Sequence, residues 1–420
     1  MIGNIIILLA GLVVYAGYGW AGLAYLAVAT ALGYGLGLLI PKKKWLMWVG
    51  VALNAGVLLF IKLQPLTGLR FISVLGISYF TLQIIAYLVD IYKGKQLPER
   101  NFLRFALFVT YLPHLFSGPI ERYDRFCATL GARRITFDGV LSGAVRAIWG
   151  GVKLLLIDAR VAVVIAAITA KPDTYSGAYA LAAMLLYSLR LYTNFSGTMD
   201  VVLGVSEMLG LKLSENFDTP YLSQSFQEFW RRWHITLGDW LKNYIYIPLG
   251  GNRRGKFRKY GNLVATFLVS GLWHGGEYLL WGLFNGIFVA FGTKLQTKWK
   301  HLNRIATFLL VSVLWSFGFV WSDPLTALKM IGSLFTTFNY GAFFASVGTL
   351  GLTLTDWIVV AAASALLWIY DVYKARINPR IEALHPAAKT AVCCALALIV
   401  LVFGRYGLGF DPAGSVYGGY

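Results

Sequence analysis

Two histidines, His234 and His274, stand 40 residues apart, and each directly follows a tryptophan. A neutral imidazole, with an ordinary pKa near 6.5, can take the proton of a hydroxyl as that hydroxyl attacks an activated acyl group. His274 is followed by Gly275 and Gly276, where a backbone without side chains lets a substrate approach closely. The segment holding both, Phe226 to Gly276, is crowded with Trp, Tyr and Arg, yet its flanks are apolar enough to live in lipid. Titratable groups inside a membrane protein are costly to bury and point to chemistry or transport. Taken alone, the residues leave two readings open: core histidines with their partners satisfied, or a general base with a supporting imidazole.

Other chemistries find less support. Gly250 to Lys256, GGNRRGK, fits the spacing of a phosphate loop, but Phe257 stands where a Ser or Thr is needed and no strand precedes it. Neither histidine belongs to an HExxH pattern or has carboxylates at ligand spacing, so no metal centre is indicated. The GxSxG turn of a serine hydrolase is missing. Cys127 lies near a basic loop, while Cys393 and Cys394 are adjacent in an apolar run; without CxxC spacing, all three read as small packing residues.

The elements that must hold the histidines are membrane helices. The 420 residues are 58% hydrophobic and 13% charged, with a mean hydropathy of +0.64, whereas a soluble domain carries about 25% charged residues. Crossing the hydrocarbon core takes about 20 apolar residues, and about eleven such runs are present. The expected fold is an all-α polytopic integral membrane protein, with residues 1–420 forming a single domain. The formal charge of +18 does not mark a nucleic-acid binder. Of the 37 Lys and Arg, 23 fall in six short loops: Lys42–Lys44, Lys93–Arg104, Arg122–Arg134, Arg253–Lys259, Lys294–Arg304 and Lys374–Arg380. That confinement is the positive-inside signature of cytoplasmic connections, and membrane lipid headgroups or an acidic soluble partner are the expected counter-charges.

Taken in order, Met1 to Ile40 reads as two retained helices broken near Gly19 to Gly22. Phe71 to Lys93 carries Ser78, Thr81, Gln83 and Asp90 and should face the protein interior. Phe102 to Phe116 is short, holds Pro113 and His114, and predicts a re-entrant or interfacial helix. Val140 to Ala170 gives one long or two shorter helices, with Asp158 and Arg160 snorkelling at an interface. Tyr179 to Leu211 gives two spans around YTNFSGTMD. Gln227 to Leu241 places Trp230, Trp233, Leu237 and Trp240 three or four apart, the pattern of one amphipathic helix at a membrane interface.

With these motifs on the page, the chain resembles the membrane-bound O-acyltransferase family, in its bacterial branch that acylates cell-surface polymers. The matching stretches are Asn194–Gly210, Glu215–Gly255 with FWRRWH, and GLWHG at Gly271–Gly275; Gly76–Gly94 and Ser117–Phe126 fit as well, so residues 70–295 are the most family-like. The resemblance implies a bundle of about eleven helices, with re-entrant and amphipathic pieces around a central tunnel in a multi-pass protein of the plasma or inner membrane. It implies His274 as the catalytic base and His234 as the second histidine, supported by Asn194, Trp273 and Asp200. It implies no permanently bound cofactor. Acyl-CoA or a phosphopantetheinyl acyl carrier protein would be the donor, docking on a cytoplasmic surface that includes Arg253, Arg254, Lys256 and Arg258. An extracytoplasmic polymer or a partner transferase would receive the acyl group, with acetyl to a polysaccharide as the first expectation. D-alanyl transfer to teichoic acid and a non-catalytic acyl-export subunit are the alternatives. Tyr417, in the closing SVYGGY, matches an acyl-relay tyrosine of some relatives, although Ser415 stands where they carry an aromatic residue.

Overall fold

Gly19 turns the chain at φ 141°, a conformation that favours glycine, and so divides the first apolar run into α1 (Ile2–Tyr18) and α2 (Trp20–Leu39). The computed structural model describes residues 2–67, 74–292 and 296–406. Beyond α2 come α3 (Leu46–Thr67), α4 (Ile77–Tyr92), α5 (Phe102–Thr110), α6 (Leu112–Leu115), α7 (Tyr123–Gly131) and α8 (Phe137–Val152). A π-helical stretch, Lys153–Asp158, joins α8 to α9 (Ala159–Thr169), and α10 (Ala178–Met208) returns beside them. The central stretch forms α11 (Phe226–Arg232), α12 (Ile235–Leu241) and α13 (Gly255–His274). After it stand α14 (Leu279–Phe291), α15 (Lys300–Leu314), α16 (Pro324–Thr336), α17 (Tyr340–Ser346), α18 (Leu354–Glu382) and α19 (Pro386–Phe403). Among the described residues there is no strand, only two isolated bridges.

Glycines fix how the helices pair. A Cβ on Gly143 would lie 2.4 Å from the Gly204 carbonyl oxygen, and one on Gly150 would lie 2.4 Å from that of Gly197. This register makes α8 and α10 antiparallel with their backbones nearly touching, the close approach that small residues permit in membranes. Gly271 and Gly282 do the same where α13 meets α14: a Cβ on Gly271 would lie 2.5 Å from the carbonyl oxygen of Tyr278, just before α14, and one on Gly282 would lie 2.5 Å from that of Phe267 on α13. The helices α2, α3, α18 and α19 are long and apolar enough to cross a bilayer. The interior α4, with 16 residues, and α14, with 13, are shorter. At 1.5 Å per residue they reach about 24 and 20 Å, less than the ~30 Å of a hydrocarbon core. Length alone does not sort the helices, since α10, with 31 residues, is largely buried.

Two hydrophobic cores result. One gathers α1 to α7 with Leu237, Trp240, Leu241 and Trp273. The other gathers α9, α10, α11 and α15 with Trp233, Tyr278 and Trp281. The seam between them cuts through the central stretch twice, once between Trp233 and Leu237 and once between Trp273 and Tyr278.

The structure corrects the sequence reading in several places. Tyr179 to Leu211 is one helix, not two. The polar YTNFSGTMD run does not break it because Thr193 and Thr198 bond to carbonyls one turn back, and Ser196 and Asp200 receive the Lys153 ammonium. Asp158 and Arg160 do not snorkel at an interface. They are 8% and 7% exposed within a continuous helical stretch, where Asp158 pairs with Arg190 and Arg160 bonds to Asp356 and the Phe403 carbonyl. Gln227 to Leu241 is two helices rather than one, broken at Trp233 and His234. The short helices α16 and α17 lie between the apolar runs and add to the elements expected from sequence.

Candidate active site

The break between α11 and α12 is made from outside the central stretch. His234 takes φ 45°, a left-handed conformation uncommon for a residue with a side chain. Asn216 compensates. Its carbonyl oxygen accepts from the Ile235 amide at 3.0 Å, and its side-chain Oδ1 accepts from the Thr236 amide at 3.0 Å and the Thr236 hydroxyl at 2.7 Å. The same Oδ1 lies 3.4 Å from His234 Nδ1. Asn216 thus caps α12 in place of a residue in the helix's own chain segment, and holds His234 at the turn. Asn216→Ala should therefore cost about 1–2 kcal/mol, the usual worth of an N-cap. A thermal melt of the purified variant reads this; an unchanged midpoint would contradict the capping role.

His274 ends α13 and lies in the tight bend to α14. Gly275 follows at φ 150°, and a Cβ there would meet the Glu277 carboxylate at 2.8 Å. The imidazole is 6% exposed. Four rings surround it: Trp273, Trp281, Phe319 and Tyr278, at centroid distances of 4.7, 5.3, 5.6 and 5.7 Å. Three of these contacts are edge-on, the geometry aromatic pairs prefer. His234 meets Phe195 at 4.8 Å and Trp273 at 6.1 Å. Both histidines therefore rest on one indole, that of Trp273, at the seam between the two cores. Trp273 is itself pinned by its Nε1 donating to the Ser78 carbonyl at 3.3 Å. His234 Nε2 is buried with no hydrogen-bond partner among the described residues. Buried polar atoms are rarely left so.

Two cavities come up to this seam. One, of about 420 Å³, runs between α3, α4, α12 and α13, with Lys62 and Trp273 at one end and Lys93 and Tyr244 at the other. The second, of about 350 Å³, lies among α8, α10, α18 and α19 and reaches Asn216 and Phe217. Neither imidazole is among the residues lining these two.

Of the residues singled out from sequence, His274, His234 and Trp273 come together. Asn194 does not join them: its Nδ2 donates to Asp158 at 2.8 Å, although the next residue, Phe195, touches His234. Asp200 also points elsewhere. It binds Lys153 at 2.7 Å and Arg146 at 3.1 Å, and Arg146 in turn holds Glu215 with two 2.7 Å bonds. Arg253, Arg254, Lys256 and Arg258 are exposed around the start of α13. Tyr417 lies outside the described residues. Sequence reasoning missed Asn216, which holds His234 at the turn. Asn216 sits in an irregular segment with no periodicity to expose it.

The model of the membrane-bound O-acyltransferase family matches residues 95–323, a range that includes both histidines and the bend after α13. The chain belongs to that family. It is accordingly a multi-pass membrane acyltransferase. A probable alginate O-acetylase of Pseudomonas fluorescens is 34% identical over 408 residues, covering 93% of this chain and 82% of the relative. A peptidoglycan O-acetyltransferase of Helicobacter pylori is 33% identical over 320 residues, covering 65% of this chain and 59% of the relative. A teichoic acid D-alanyltransferase of Bacillus subtilis is 29% identical over 270 residues, covering 59% of this chain and 67% of the relative. Both imidazoles on Trp273 fall within the residues that the family model matches.

Proposed function

We propose that this protein carries an acetyl group from a cytoplasmic thioester, acetyl-CoA or an acetylated carrier protein, to a hydroxyl of a cell-surface polysaccharide, with His274 as general base. The observation that carries this reading is the position of His274: buried at the bend between α13 and α14, and joined to His234 through Trp273 at the seam of the two cores. The Asn216 cap fixes His234, which orients the reacting groups across the same indole. The exposed Arg253, Arg254, Lys256 and Arg258 form the surface on which an anionic donor docks, and the protein resides in the plasma or inner membrane. Acetyl is preferred over D-alanyl because likeness to the alginate O-acetylase spans 93% of the chain, against 59% for the D-alanyltransferase. Cells carrying the protein and fed isotopically labelled acetate should release labelled acetate from surface polysaccharide under mild base. Base-released label from D-alanine instead would overturn the choice of acyl group.

A further inference from the structure

Trp48, Leu59 and Val269 line the larger cavity and are exposed, so it opens sideways as a groove between α3 and α13. Its α3 wall is one stripe at helical spacing: Met47, Val51, Ala55, Leu58 and Lys62. A Cβ on Gly50 would lie 2.5 Å from the Leu88 side chain, while Trp273, next to Lys62, donates to the Ser78 carbonyl. Hence α3 and α4 are antiparallel, and the basic clusters Lys42–Lys44 and Lys93–Arg104 share one membrane face. Exposed Trp45, Trp48 and Tyr92 mark that end, as aromatic residues do at the level of lipid headgroups. Asp90 pairs there with Lys95 at 3.6 Å and Arg122 at 3.0 Å, and Lys93 lies 5.6 Å from the centre of the Tyr244 ring. With Lys42, Lys43 and Lys44 exposed as well, the end keeps an excess of positive charge. From Val51, just inside the aromatic belt, to Lys62 the groove runs about 16 Å, the depth of one leaflet of a ~30 Å core. Spread over about 22 Å of α3 from Met47 to Lys62, its volume of about 420 Å³ leaves a mean section of about 19 Å². That admits one hydrocarbon chain, whereas a helix about 10–12 Å across needs several times as much.

We propose that this groove binds one anionic phospholipid of the leaflet at the basic end, with an acyl chain laid along α3 and the phosphate at Lys93. Because positive charge marks cytoplasmic connections, that leaflet is the cytoplasmic one. Lipid chains are as apolar as the groove, so the chain is held by packing: the walls gain dispersion contacts that an unfilled groove lacks. Selection among lipids comes from the headgroup, whose phosphate meets the excess cations at the mouth. The second chain of the same lipid stays in the bilayer, outside exposed Leu59 and Val269. Neither imidazole lines the groove, and its far end is the Trp273 indole. The site is therefore additional to the acyl-transfer chemistry and independent of the acyl group carried.

The test uses the full-length protein, freed of lipid in detergent and then incubated with vesicles of equal parts palmitoyl-oleoyl phosphatidylglycerol and phosphatidylcholine. Native mass spectrometry reads the lipid retained. Wild type is expected to keep one phosphatidylglycerol per chain. Ala55→Trp, which fills the middle of the groove, is expected to lose it, whereas Val13→Trp, at an exposed position of α1, keeps it. Lys93→Gln is expected to lower the preference for phosphatidylglycerol about fivefold, the worth of one lysine near a charged surface (about 1 kcal/mol). Equal retention of the two lipids by wild type, retention by Ala55→Trp at the wild-type level, or a preference unmoved by Lys93→Gln each overturns the proposal. A wild-type spectrum showing a lipid-free dimer, or acetyl-CoA held in place of lipid when both are supplied, also overturns it. If Ala55→Trp does not fold, Val51→Phe is read by the same criteria, and the selectivity of wild type still decides.

Discussion

Replacing His274 should slow acyl transfer by about 10²- to 10⁴-fold, the range lost with a general base. The imidazole fills a box of four aromatic rings, so truncation to Ala also opens a hole and costs packing. His274→Gln keeps most of the volume and removes the base, and the rate of that variant, normalised to folded protein, isolates the chemistry. His274→Gln should bind donor with an affinity close to wild type and fail in turnover. A variant that turns over normally would reassign His274 to the core, the bland alternative that its sequence left open.

The second large effect concerns stability and not rate. Asp200→Ala removes the carboxylate that holds the Lys153 ammonium at 2.7 Å, leaving that lysine, with a side chain 5% exposed, with the Ser196 hydroxyl and the Trp149 and Tyr192 rings. Breaking a buried ion pair by removing one partner costs about 3–5 kcal/mol. Arg146 keeps its two bonds to Glu215, so the loss centres on Lys153. Asp200→Ala should therefore melt well below wild type in detergent while each folded molecule transfers acyl groups at a near-normal rate. A variant that is stable yet inactive would return Asp200 to the supporting role that the family resemblance implies.

The contrast between His274 and Asp200 indicates what was legible in the sequence. Hydrophobic run length and the confinement of Lys and Arg to short loops give the membrane class. Gly19 gives the first helix break, because a glycine there has a local conformational reason. The Trp–His pairs give the centre of the site, since titratable groups in apolar sequence are expensive. What stayed hidden depends on partners distant in sequence. Asp200 and Asn194 look like site residues because they are polar within a span, but Lys153 and Asp158 satisfy them across a helix interface that the sequence does not display. The break at His234 violates a good helical periodicity because Asn216, 18 residues earlier, supplies the cap.

The central claim is that a thioester on one side of the membrane and a hydroxyl on the other meet at His274. Proteoliposomes with the protein inserted in one orientation test it most directly, with labelled acetyl-CoA supplied only at the face bearing Arg253, Arg254, Lys256 and Arg258, and a polysaccharide acceptor only at the opposite face. Labelled ester on the acceptor with wild type, and none above background with His274→Gln, is the predicted result. Equal labelling by the two proteins, or labelling only when donor and acceptor share one face, would contradict it.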